Sequence, residues 1–197
     1  MRRFALVFVP AFALLAACVS VLPEPEAPRG LYSIAPASVK ASLPANVIIR
    51  EFEAPELISG TAMIAEDSDG ARRLVRSVEW SGRLTREMQM ALIDSFDTDG
   101  AGTALLPELG VSARFRVIGR VQTLLLRGDA AECVATVSVA DGSARGLVGQ
   151  TTVRSGAVAL RDGAPDRAIA LRQAAEGCVA QLASATADIL SAVEPDV

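Results

Sequence analysis

The chain has 197 residues, with 19 basic and 23 acidic side chains and no histidine. Without histidine it lacks the commonest general base and metal ligand, and with them the Ser-His-Asp and Cys-His arrangements, so it reads as a non-enzyme with no cofactor. The acidic balance speaks against nucleic acid, whose phosphates call for a basic face.

Arg2 and Arg3 precede an apolar run from Phe4 to Leu15, and Leu15-Ala16-Ala17-Cys18 follows, the order of a secretory signal. The run holds about a dozen residues where a spanning helix needs roughly 20, and Pro10 interrupts it. It is therefore expected to be cut away as residues 1–17. An aliphatic and two small residues before a cysteine form a lipobox, in which the Cys18 thiolate takes the lipid. Two or three acyl chains anchor a protein stably where one holds it marginally. The next residue is Val19 and not the aspartate of an inner-membrane retention signal, which points to the periplasmic face of the outer membrane. Losing Arg2 and Arg3 takes the basic count from 19 to 17 against 23 acidic groups, a balance of −6.

Residues 18–30 read as a tether. Pro23, Pro25 and Pro28 alternate with Glu24 and Glu26, a composition that stays extended and solvated. The remainder, 31–197, is large enough for one domain with a real core.

Leu31 to Ile34 is a short strand candidate and Asn46 to Phe52 a stronger, β-branched one. Thr61 to Glu66 and Arg72 to Ser77 flank Asp67-Ser68-Asp69-Gly70, which predicts a hairpin. Trp80, Leu84, Met88, Leu92 and Phe96 recur every four residues and predict a helix, with Ser77 as N-cap and Glu79 at the positive end of its dipole. Asp97, Asp99, Gly102 and Glu108 fall at EF-hand spacing, but Ala101 and Leu105 offer no side-chain oxygen and Pro107 breaks the following helix. That loop reads as a helix-ending turn and not as a calcium site.

Ala113 to Leu126 predicts a long strand, with Ala113, Phe115, Val117, Val121 and Leu125 on one face and Arg114, Arg116, Arg120 and Gln122 on the other. Glu132 to Ala140 and Leu147 to Arg154 return as an antiparallel meander with one buried side. From Pro165 to about Val193, Ala168, Leu171, Ala175, Cys178, Leu182, Ala185, Ile189 and Ala192 repeat at helical spacing. Their small size suits close packing on a sheet better than a coiled coil. The fold expected is α+β: an antiparallel sheet, meander plus hairpin, packed by two main helices, one after Ser77 and one C-terminal.

Three groups of residues are candidates for a role. Cys133 and Cys178 remain as an even pair in an oxidising compartment, both on faces turned toward the sheet–helix interface. A bridge would close a loop of roughly 45 residues and stabilise by about 4 kcal/mol; the alternative is two buried thiols acting as small apolar residues. Arg114, Arg116 and Arg120 make a basic stripe, either a solvated face or a surface for anionic lipid or an acidic partner. The apolar loop Pro55 to Gly60, with Pro55, Leu57 and Ile58, is either partner-binding or core.

Taken in order, Cys18, the prolines 23 to 28, Leu31-Tyr32-Ser33-Ile34, Val47 to Phe52, Pro55-Glu56-Leu57-Ile58, Trp80-Ser81-Gly82-Arg83-Leu84, Ala113 to Arg154 and Pro165 to Val193 resemble the ABC-type transport auxiliary lipoprotein family, the group of the paraquat-inducible lipoproteins. The resemblance covers nearly the whole mature chain. It implies a non-enzymatic part of an intermembrane lipid transport system. In such a system an inner-membrane ABC transporter works with MCE-domain proteins that bridge the periplasm, and the lipoprotein docks that bridge, as a homo-oligomeric ring in one form. The rival reading is a general envelope-assembly or structural lipoprotein without a transporter.

Overall fold

A computed structural model describes residues 29–142 and 146–193, so the signal, Cys18 and most of the tether lie outside the described residues. In chain order the elements are β1 (Gly30–Tyr32), β2 (Val47–Ile49), the single turn α1 (Glu56–Ser59), β3 (Ala62–Glu66), β4 (Arg72–Trp80), α2 (Leu84–Ile93), β5 (Ala104–Leu105), β6 (Phe115–Arg127), β7 (Ala130–Asp141), β8 (Gly146–Val158) and α3 (Ala164–Val193). The class is α+β with the two expected main helices.

Local turn chemistry builds two antiparallel units. Gly70, at φ 81°, closes the β3–β4 hairpin, and Gly128, at φ 64°, closes β6 onto β7, both in the left-handed region that glycine adopts without cost. The expected sheet is antiparallel throughout; the observed eight-stranded sheet is mixed. Along the edge of β6 away from β7, β2 pairs with Phe115–Val117 and β3 with Leu126–Arg127, both parallel. β1 also lies parallel to β4, and β5 to β2. Long crossovers make these joins, and they leave no local alternation signal.

A bulge between Val121 and Thr123 turns over the second half of β6. Phe115, Val117 and Val121 face the core as expected, but beyond the bulge Leu124 and Leu126 take that face, opposite Cys133 and Ala131. Leu125, expected beside Val117, pairs instead with Glu132 on the other face.

The core face is covered by α3. Ala168, Leu171, Ala175, Cys178 and Leu182 are buried, and so is a second row of Ala170, Ala174, Val179, Ala183 and Leu190, so the buried stripe is wider than one seam. Ala192 is exposed. Small residues let the helix sit close: a β-carbon on Gly177 would stand 2.1 Å from Ser155 Oγ, and one on Gly149 2.8 Å from Ile189 Cγ2.

The helix expected from Trp80 is shorter and starts later. Trp80 ends β4, fully packed at 2 % exposure, while Ser77 lies within β4 at φ 62° and is no N-cap. Three additional β4 residues fall between the Ala62–Glu79 and Ile64–Leu74 pairs, and the left-handed Ser77 sits in that irregularity. Glu79 pairs with Arg29 at 3.3 Å instead of meeting a helix dipole. α2 begins without a side-chain cap. The Leu84 N–H donates to the Gly60 carbonyl at 2.9 Å, and Ser81 Oγ donates to Glu87 Oε1 at 2.7 Å. Phe96 is buried just past the helix end.

Candidate partner-binding surfaces

The basic stripe is mostly neutralised. Arg114 Nε donates to Asp141 Oδ2 at 2.9 Å, and its guanidinium lies 4.7 Å from the Phe115 ring centroid. Arg120 donates through Nε and Nη2 to one oxygen of Glu53, at 3.2 and 2.8 Å. Arg116, opposite Ala140 in the register, is exposed and forms no ion pair among the described residues. Among the described residues it is the one of the three without an ion-pair partner.

Pro55 to Gly60 folds into α1, which divides the apolar loop. Ile58 is buried at 6 % exposure and belongs to the core, whereas Leu57, at 45 %, and Pro55 face outward. This turn and the arginine face meet at Glu53. Its N–H donates to the Gly119 carbonyl at 2.8 Å, its carbonyl accepts from the Val121 N–H at 2.8 Å, and its carboxylate holds Arg120. Pro55 follows two residues later, so the apolar turn starts beside the Arg120 pair. Glu53 thus ties the chain entering the apolar turn to the arginine-bearing strand.

Sequence reasoning missed the largest charge arrangement. Across β4, β3, β6, β7 and β8 run Arg72, Glu66, Arg127, Glu132 and Arg154, each joined to the next at 3.3, 2.9, 2.7 and 3.4 Å. Arg127 and then Arg72 hold the Glu66 carboxyl below its usual range, and Glu66 raises Arg127 in turn. Alternating charges at successive strands were visible only as scattered residues, because nothing local announces that β3 lies beside β6.

Buried polar groups are tied to backbone. Gln89, fully buried on α2, donates Nε2 to the Ile49 carbonyl at 2.8 Å and accepts from Arg86 at 2.6 Å. Ser95 Oγ donates to the Ala91 carbonyl and accepts from the Ala37 N–H. These bonds seat α2 against β2 and the chain before it.

Cys133 on β7 and Cys178 on α3 are both wholly buried and stand unbridged in the structure. The neighbouring Cys178 thiol, and then burial, push Cys133 well above the ordinary thiol range.

An open cavity of about 500 Å³ lies at the β4 irregularity, with Met63 and Val75 among its apolar walls and Arg29, Arg76, Ser77 and Glu79 among its polar ones. Ser77 has no imidazole to activate it, since the chain has no histidine. Among the described residues no three metal-ligand side chains gather. At the aspartate loop the Asp97 N–H donates to the Ala41 carbonyl, and a β-carbon on Gly102 would meet the Ala45 backbone at 2.2 Å. That turn is occupied in packing on the segment before β2. Among the described residues no helix is long and apolar enough to cross a membrane.

The fold recurs in solved structures. A protein of the DUF330 family from Xanthomonas campestris aligns at TM-score 0.70 with 13 % identity, over 86 % of this chain and 98 % of its own. An uncharacterized protein aligns at 0.61 with 11 % identity, over 85 % and 100 %. A hypothetical protein from Chlamydia trachomatis aligns at 0.50 with 10 % identity, over 75 % and 99 %. At these identities the likeness is one of fold. No curated protein matches the sequence. The model of the ABC-type transport auxiliary lipoprotein component matches residues 31–183, from β1 well into α3, and the chain belongs to that family.

Proposed function

We propose that this protein is the outer-membrane-anchored auxiliary subunit of an ABC transport system that moves lipid across the periplasm, and that it docks an MCE-domain bridge. The observation that carries the reading is the family match over residues 31–183, preceded in sequence by a lipobox at Cys18. Cleavage before Cys18 and acylation of its sulfur would confine the domain to a bilayer surface on a tether ending at Gly30. Val19 favours passage to the outer membrane. Docking is assigned to the exposed Pro55 and Leu57 together with Arg116, which no described residue pairs, and Arg120, held by Glu53; apolar groups with a cation suit an acidic partner. Arg114 borders it, held by Asp141. Self-association into a ring would multiply that surface around the bridge.

Affinity capture of the acylated protein from solubilised envelopes tests the reading. Recovery of MCE-domain and ABC components is the expected result; their absence, with the bait intact and acylated, would sink it. A Cys18→Ser variant should leave the membrane fraction, and one as firmly bound as the native protein would remove the anchor from the argument.

A further inference from the structure

We propose that Cys133 and Cys178 are joined by a disulfide in the exported protein, covalently fastening α3 to the middle strand of the meander. The two thiols neighbour each other at a point where the helix lies close on the sheet. Gly177 has no side chain, and a β-carbon there would stand 2.1 Å from Ser155 Oγ and 3.0 Å from its Cβ, so the α3 backbone rests directly on β8 at Ser155. Ser155 is the cross-strand partner of Cys133, and Cys178 is the next residue after Gly177. Both cysteines are 0 % exposed, with Ala135, Ala174 and Ala175 buried in the same core. A disulfide requires its two Cα atoms within about 7 Å, closer than a helix usually lies on a sheet, and small residues are what permit it.

Burial sets the order of events. No oxidant reaches either sulfur once α3 is seated, so the bond forms during folding. One thiolate attacks a disulfide of an envelope dithiol oxidoreductase, giving a mixed disulfide, and the second thiolate displaces the carrier. Two protons leave the cysteines, and the carrier departs as a dithiol with the two electrons.

The test uses the full acylated protein purified from envelopes, denatured and alkylated without reductant, then digested and analysed by mass spectrometry. The expected product is one linked peptide pair containing Cys133 and Cys178, separated only by reductant. Alkylation of both residues before reduction would overturn the proposal. If Cys18 carries its lipid in that same sample, the export reading survives such a failure. A Cys133→Ala/Cys178→Ala variant, which keeps small apolar groups in place, gives a second readout. Reductant should lower the native melting temperature by about 10 °C and leave the double variant unmoved; an equal response in both would also refute the bond.

Discussion

Glu66 on β3 and Arg127 on β6, distant in sequence, meet at 2.9 Å, and Arg72 approaches the same carboxylate from β4 at 3.3 Å. A carboxylate between two guanidinium groups favours its charged form, which is why Arg127 and then Arg72 hold its pKa below the usual glutamate range. A depressed carboxylate stabilises the fold above its unfolded pKa, and that contribution is lost as pH falls through the folded value. The window therefore runs from the ordinary carboxylate range downward. NMR titration of the Glu66 carboxyl should give a midpoint below that of a glutamate in an unstructured peptide. In an Arg127→Gln variant the midpoint should move back up; an unchanged midpoint would mean that Arg127 is not the cause.

Adjacent residues of β6 should respond in opposite ways. Arg120 and Glu53 are both largely exposed, at 65 % and 58 %, so solvent screens their pair; Arg120→Ala should change stability by less than about 1 kcal/mol. Gly119 points inward, where a β-carbon would stand 2.4 Å from the Phe52 ring. Gly119→Ala should cost about 1–3 kcal/mol through overpacking. Adding Phe52→Leu should recover part of that loss. Urea denaturation of Arg120→Ala, Gly119→Ala, Phe52→Leu and the Gly119→Ala/Phe52→Leu double variant checks this, and additive losses for the Gly119–Phe52 pair would contradict a direct clash.

What could be read from the sequence was whatever is local. The Asp67–Gly70 turn carries its own chemistry, and the three-and-four spacing of Ala168 to Ile189 carries α3, so both elements stand where the pattern puts them. Trp80 misled because one strand residue lay four before Leu84 and copied a helical repeat. Ser81-Gly82, between them, marks the true break. The faces of β6 were legible up to Val121 and inverted afterwards, since a bulge adds one residue and the period-2 count cannot register it. The candidate surface was legible as residues but not as a site. Arg114 and Arg120 stand in the sequence only as members of a basic stripe, because Asp141 and Glu53 reach them only through strand pairing. Similarly, Ile58 and Leu57 are indistinguishable as letters until one turn of helix points the first inward.

Gln89 should prove more important to α2 than its polarity suggests. Its amide is the buried link from α2 to the end of β2, and Gln89→Leu withdraws the donor from the Ile49 carbonyl and the acceptor from Arg86. A buried carbonyl deprived of its partner costs about 1–3 kcal/mol, which extra apolar contact offsets only in part. Calorimetry should show that loss, and native-state hydrogen exchange should show it concentrated in α2. A variant as stable as the parent would mean that the carbonyl finds another donor.

The docking surface can be separated from the fold because α1 presents neighbouring residues to opposite sides. Ile58→Ala removes a buried side chain and should cost about 2–5 kcal/mol. Leu57→Asp changes an exposed position, so melting should stay within about 0.5 kcal/mol of the parent. Yet it replaces an exposed apolar side chain with a negative charge, two changes that should both weaken capture of an acidic partner. Arg116→Glu reverses the charge of the arginine on this face that pairs with no described residue, and should act in the same direction. Loss of co-purifying MCE and ABC components with Leu57→Asp and Arg116→Glu, at native melting temperature, would locate the interface here. Full recovery by both variants would move the partner to another face of the domain.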